Sequence, residues 1–71
     1  ANVYPNPADR FFTVRTDADV ISCDLLDLQG RVLMQGITLN RPTDSGNLGP
    51  GLYLIRIIDV HGVNILRLLH R

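Results

Sequence analysis

Gly51-Leu52-Tyr53-Leu54-Ile55-Arg56-Ile57-Ile58, followed after a short turn by the stretch from Val63 to Arg71, decides the fold. The first run opens with Pro50-Gly51, is dense in β-branched and aromatic residues, and is too short for a typical helix, so it predicts a strand. Asp59-Val60-His61-Gly62 carries turn chemistry, with Gly62 free to take positive φ, and the two runs therefore make a hairpin over 51–71. On its first strand Tyr53, Ile55 and Ile57 share one face and Leu52, Leu54, Arg56 and Ile58 the other. On its second strand Leu66 and Leu68 share a face, while Val63, Ile65 and Leu69 flank Arg67 on the opposite one. Both faces are largely apolar, yet a thin sandwich covers only one face of each strand. The other is a candidate partner surface.

Upstream segments read as the partners this hairpin needs. Residues 1–9 hold Pro5 and Pro7, which fix φ and remove backbone donors, and predict an extended lead-in more than a ladder strand. Phe11 to Thr16 alternates, placing Phe12 and Val14 inward, Thr13 and Arg15 outward, and Phe11 on the outer face or at its rim. Thr16-Asp17-Ala18-Asp19 is a turn. In the next strand Ile21, Cys23 and Leu25 point one way and Ser22, Asp24 and Leu26 the other. Asp27-Leu28-Gln29-Gly30 turns the chain, with Gly30 as the positive-φ residue, and Arg31 to Leu39 returns. In that return Val32 and Met34 compete with Leu33 and Ile37 for the core, and Gly36 marks a bulge that can switch face. Asn40 to Gly49 is polar, with Pro42 barring a central strand, a short edge segment expected within 43–45, and Leu48 as the apolar plug. Six to seven short strands without helical period predict an all-β fold, a small Ig-like antiparallel β-sandwich.

The chain has 71 residues, 45% hydrophobic and 20% charged, which excludes a disordered tail of low hydrophobicity. Seven Arg balance seven Asp, so no basic footprint for nucleic acid or an anionic membrane exists, and neither partner is expected. The single Cys23 forms no internal disulfide, and no apolar run is long enough to span a bilayer as a helix. Without an initiator Met or a signal peptide, the chain reads as a piece from the end of a longer protein, a single domain over 1–71.

Catalytic and metal chemistry find little support in these residues. His61 falls in a turn, His70 at a fraying end and Cys23 on an inner face, so no metal site is expected. Asp24 and Asp27 stand at odd spacing, which puts them on opposite faces of a strand as solvated or turn-capping groups. Gly46-x-x-Gly49-x-Gly51 is a weak phosphate-loop pattern whose Pro50 lacks a needed N–H. No cofactor is implied and no enzyme is expected. Cys23 reads as a small core hydrophobe, and Arg31 as a turn-pairing residue.

Four ordered motifs go further. Val3-Tyr4-Pro5-Asn6-Pro7 opens the chain and Leu25-Leu26-Asp27-Leu28-Gln29-Gly30-Arg31 marks the central hairpin. Leu48-Gly49-Pro50-Gly51-Leu52-Tyr53 leads into the last hairpin, and Arg67-Leu68-Leu69 closes it. In this order they resemble the type A C-terminal sorting domain of the type IX secretion system of Bacteroidota, over essentially the whole chain. The matching positions are Tyr4, Pro5, Asn6, Pro7, Asp27, Gly30, Arg31 and Leu48, with Gly51, Tyr53 and the final basic-aliphatic run. Two departures are visible: Arg67 and Arg71 stand where relatives end in lysines, and Ser45 stands where an aliphatic residue is usual.

The resemblance implies an Ig-like sandwich that directs a secreted cargo through the periplasm and the outer-membrane translocon to the cell surface or medium. It further implies removal by a sortase-like protease acting upstream, and no active site in the domain itself. An address read in the folded state needs an exposed apolar or strand-like handle. The expectation is that Ile65, Arg67 and Leu69 form the recognised face, with Gly51 and Tyr53 setting the hairpin geometry. An unguarded final strand is also an expected route to dimerisation through its edge. The competing reading is an Ig-like or fibronectin-like accessory module for protein binding or spacing. Its discriminating feature is position in the gene, internal as opposed to C-terminal.

Overall fold

A computed structural model describes residues 1–17 and 19–71. Among these residues the fold is all-β, with β1 (Asn2–Tyr4), β2 (Phe11–Arg15), β3 (Val20–Leu26), β4 (Val32–Met34), β5 (Pro42–Asp44), β6 (Gly51–Asp59) and β7 (Gly62–His70). A three-stranded antiparallel sheet, β1-β2-β5, faces a four-stranded one, β4-β3-β6-β7. This is the architecture of a small Ig-like sandwich.

The last hairpin forms as its sequence predicts. β6 and β7 pair in unbroken register from Asp59↔Gly62 to Gly51↔His70. Val60 and His61 make the two-residue loop, Gly62 takes φ +136°, and the Asp59 carboxylate accepts the His61 N–H at 2.8 Å. Tyr53, Ile55 and Ile57 turn inward beside Leu66 and Leu68, opposite Phe12 and Val14 of the facing sheet, and Cys23, Leu25, Ile37 and Ala8 complete the core. Alternate positions on every long strand thus meet across one layer, where burial of apolar surface supplies most of the driving force.

Elsewhere the structure departs from simple alternation. Asn2–Tyr4 is a ladder strand, pairing Val3 with Val14, where the sequence reads as an extended lead-in; the prolines stand just beyond it and cost it no donors. The edge segment expected at 43–45 is β5, which starts at Pro42 itself; an outer strand tolerates the missing N–H. In β3 the register against β6 slips between Val20 and Ser22. That extra residue turns Ile21 out of the core, 68% exposed, and lets Val20 pack inward with Cys23 and Leu25. The return strand is cut to three residues. Met34 packs on the core, Gly36 at φ +65° redirects the chain, and Ile37 enters the core while donating its N–H to the Cys23 carbonyl at 2.8 Å. Asn40, at φ +61°, clamps the end of β2: its own N–H reaches the Val14 carbonyl, and its side chain bonds both the N–H and the carbonyl of Thr16. The expected turn over 16–19 includes Ala18, which lies outside the described residues.

Candidate functional site

β7 carries the residues expected to be read. Its outward side chains pair across the sheet as Leu52↔Leu69, Leu54↔Arg67, Arg56↔Ile65 and Ile58↔Val63. Ile65 is 49% exposed and Leu69 47%, and Arg67 is exposed between them. Among the described residues no carboxylate lies within ion-pairing distance of the Arg67 guanidinium. The same outer face continues through Leu54 to Leu26, which is buried there between its cross-strand neighbours Val32 and Leu54. Beside it Arg56 pairs with Asp24 at 3.1 Å, and Asp24 also accepts the Gly36 N–H at 3.2 Å. Asp24 is therefore a buried, paired carboxylate, where its spacing suggested a solvated or turn-capping one. It faces a cation on the next strand at the directly opposed register position. Among the described residues, the surface that results is a largely apolar sheet face crossed by the Asp24–Arg56 pair, with the unpaired Arg67 at its rim.

The opening motif holds the last strand in place. The Asn6 side chain donates to the Arg67 carbonyl at 2.9 Å and accepts the Leu69 N–H at 2.9 Å. Two residues on, the Ala8 N–H reaches the Leu69 carbonyl at 2.7 Å, and the Arg71 N–H reaches the Ala8 carbonyl at 2.9 Å. Ala8 thus bridges His70 in parallel and is wholly buried. Tyr4-Pro5 and Asn6-Pro7 are both cis, and residues 5–7 bend where the chain leaves β1 and comes to lie along β7. Tyr4 is half-exposed at the edge.

His70 is not at a fraying end. It is buried, its Nε2 lies 3.1 Å from Ser45 Oγ, and its ring stands edge-on to Tyr53, 6.3 Å between centroids. Ser45 Oγ donates to the Arg10 carbonyl at 3.0 Å, so it must accept from His70. Nε2 therefore carries the hydrogen of this bond, and Nδ1 is buried with no hydrogen-bond partner among the described residues. Ser45, which stands where an aliphatic residue is usual, is a polar tie between the two sheets. Leu48 packs on the core. Tyr53 completes this end: its hydroxyl donates to the Gly49 carbonyl at 2.7 Å and braces the turn that launches β6 at Gly51. This is how a tyrosine corner works in larger sandwiches.

Asp27, Gly30 and Arg31 form a separate site at the β3–β4 loop. Asp27 Oδ1 accepts the N–H groups of Gln29 and Arg31 at 3.0 and 2.9 Å, and Oδ2 accepts Arg31 Nε at 2.8 Å. Gly30 takes φ +90° and returns its N–H to the Asp27 carbonyl. These bonds hold the Asp27 carboxyl below its usual range, the Arg31 backbone N–H foremost and its side chain next. Arg31 is turn-pairing, as expected. Cys23 behaves as a core hydrophobe whose thiol is pushed up to about 11 by burial, with the neighbouring Asp24 charge adding to it.

The structure thus joins Asn6 of the first motif to Arg67 and Leu69 of the last, and joins Tyr53 to the Leu48-Gly49 turn. It leaves Asp27-Gly30-Arg31 in a loop of its own. Sequence reasoning missed Ala8 and Ser45 as structural partners of β7, and His70 as a buried residue of that strand. The usable signal was the odd residue itself: a serine at an aliphatic position and a histidine on the inward period of Leu66 and Leu68. No curated protein and no solved structure matches the chain. A family model, described as a secretion system C-terminal sorting domain, matches residues 2–69. With every motif position accounted for in a seven-strand sandwich of the expected kind, the chain belongs to that family. It is a C-terminal secretion signal of the type IX system, acting with its machinery to take cargo across the outer membrane to the cell surface or medium.

Proposed function

We propose that the machinery reads this signal on the folded sandwich, at the outer face of the last hairpin, through Ile65, Arg67 and Leu69. Gly51 and Tyr53 set the start and tilt of that hairpin and contribute no contact of their own. The observation that carries this reading is the combination on β7 of an exposed, partly apolar outer face, an Arg67 with no acidic partner among the described residues, and a strand end tied down by Asn6 and Ala8. A pre-organised face loses little entropy on binding, and a desolvated arginine among aliphatic side chains is a common anchor. The domain performs no catalysis. After translocation a sortase-like protease cuts upstream of it and separates it from its cargo.

The test is export of a periplasmic reporter ending in residues 1–71, in a Bacteroidota host with and without a functional type IX translocon. Surface or medium appearance should need the translocon. Arg67→Asp should leave the sandwich folded, since the side chain is exposed, and lower export severalfold. Export of a folded Arg67→Asp reporter at the unaltered level sinks the proposed face.

A further inference from the structure

Every sheet edge is a row of backbone donors and acceptors that proteins pair, cover or blunt. Among the described residues three edges are blunted by brevity: β1, β4 and β5 run three residues each, and β5 carries Pro42. The fourth edge, β7, runs nine. Its outward groups belong to odd-numbered residues, because Arg67 C=O, Leu69 N–H, Leu69 C=O and Arg71 N–H all meet the strap made by residues 6–8, and an antiparallel ladder alternates inward and outward residues. The strap stops at Arg67. Beyond it both groups of Val63, both of Ile65 and the Arg67 N–H have no partner on that side among the described residues. Val63-Asn64-Ile65-Leu66 carries no charge and no proline, so it lacks the usual guards.

We propose that this open half of the β7 edge, Val63 to Arg67, receives an extended segment of the secretion machinery as an added strand, and that the strap sets where that strand ends. The inference rests on the last hairpin being the recognised element, and it specifies backbone recognition in addition to the side-chain face. A main-chain occupant is favoured because the strap already seats backbone groups on the same edge, through the Ala8 N–H and carbonyl in a parallel bridge to His70, and the open half continues that edge without a break. Alternating donors and acceptors at strand spacing are also met best by another main chain. A second copy of this chain fits less well. Two-fold antiparallel pairing centred on Ile65 sets each Val63 N–H against an Arg67 carbonyl that Asn6 already holds. A strand ending at the Arg67 N–H uses all five open groups.

The test uses the full chain at the end of a reporter cargo, free and bound to detergent-solubilised type IX outer-membrane complex, and reads amide hydrogen exchange. The amides of Val63, Ile65 and Arg67 should slow about tenfold or more on binding, while Asn64 and Leu66, already inside the β6–β7 ladder, change less. Unchanged exchange at all three amides in a bound complex overturns the proposal. Val63→Pro and Ile65→Pro delete outward N–H groups that the ladder does not use, and each should export about tenfold less than its alanine counterpart. If alanine lowers export as much as proline, the side-chain face stands and strand addition falls. If proline acts and Arg67→Asp does not, strand addition stands and the proposed face falls. Slow exchange at these amides in the free protein, together with a dimer by sedimentation, would assign the edge to a second copy instead.

Discussion

The four-stranded sheet contains two nine-residue strands in register over their whole length, whereas no strand of the three-stranded sheet exceeds five residues. The first sheet is held by its ladder and by alternate burial. The second is positioned largely by polar clamps at single points: Asn40 at the end of β2, Ser45 on the Arg10 carbonyl, and the Asn6–Ala8 strap that ties the chain after β1 to β7. One side of the sandwich is therefore set by periodicity and the other by individual hydrogen bonds. In a domain this small both are needed, since total stability at ~0.05–0.15 kcal/mol per residue comes to only about 4–10 kcal/mol. Removing a piece of either side should be visible, but in different ways.

The largest effect is expected from the periodic side. Leu68 is fully buried on β7, between Tyr53 across the ladder and the core of the facing sheet. Leu68→Ala should cost about 2–5 kcal/mol through lost transfer energy and the cavity left behind. That is a large share of the total, so the urea midpoint should collapse and the variant should be partly unfolded without denaturant. A midpoint within experimental error of the unaltered chain would show that the clamps, not the core, carry the fold.

Next in size is the buried polar tie. Ser45→Ala leaves the His70 Nε2–H without its partner in a site with almost no water access, while the Arg10 carbonyl keeps the Ser45 backbone N–H, a cost of about 1–3 kcal/mol. Ser45→Val combined with His70→Leu replaces both side chains by apolar ones and should recover most of that loss. A double variant no more stable than Ser45→Ala would mean that the pair is net stabilising and not merely mutually satisfied.

Asn6→Ala should cost about 1–2 kcal/mol, since its two bonds to the β7 backbone are exposed enough for water to replace them in part. Its signature is local. The Leu69 amide should exchange faster by more than the global loss accounts for, while the Ile55 amide, deep in the ladder, follows the global loss alone. Equal acceleration at both sites would mean that the strap is part of one cooperative unit with the four-stranded sheet.

This contrast also explains what could be read in advance. The β6–β7 hairpin, the inward Phe12 and Val14, the outward Arg67 and the Gly30 turn follow from alternation and turn chemistry, which act between residues close in sequence. Ile21 was misplaced because a one-residue bulge leaves no local mark on an alternating stretch, yet it reverses the faces on one side of it. The long-range ties made by Asn6, Ala8, Ser45 and His70 were not legible for a different reason. Their partners lie 25 to 63 residues away, and a group that bonds a distant residue carries no mark of it in the local pattern. His70 is the plainest case. Its position next to the chain end suggested fraying, while its place on the inward period of Leu66 and Leu68 already put it in the core. The outward exposure of Ile65, Arg67 and Leu69 was legible because it is the complement of inward burial on β7.

The smallest expected effect lies at the β3–β4 loop, where clamp chemistry is confined to a five-residue motif. Asp27 accepts three bonds there, and its carboxyl titrates below the ordinary carboxylate value, chiefly because it accepts the Arg31 N–H. A carboxyl whose folded-state pKa is depressed binds fewer protons folded than unfolded between its two pKa values. Stability therefore rises with pH through that window, is fully present above the unfolded value near 3.8, and is lost as pH falls through the depressed one. Asp27→Asn should remove that part of the acid limb of the stability curve and leave the neutral-pH fold in place, because the loop is exposed and Gly30 still supplies the positive φ. Urea midpoints from pH 2 to 7 for both chains would show it as two curves that converge toward low pH. Curves that stay parallel across the range would mean that Asp27 and Arg31 orient the loop without stabilising it. The function of this motif would then have to be sought in what its exposed surface meets during export.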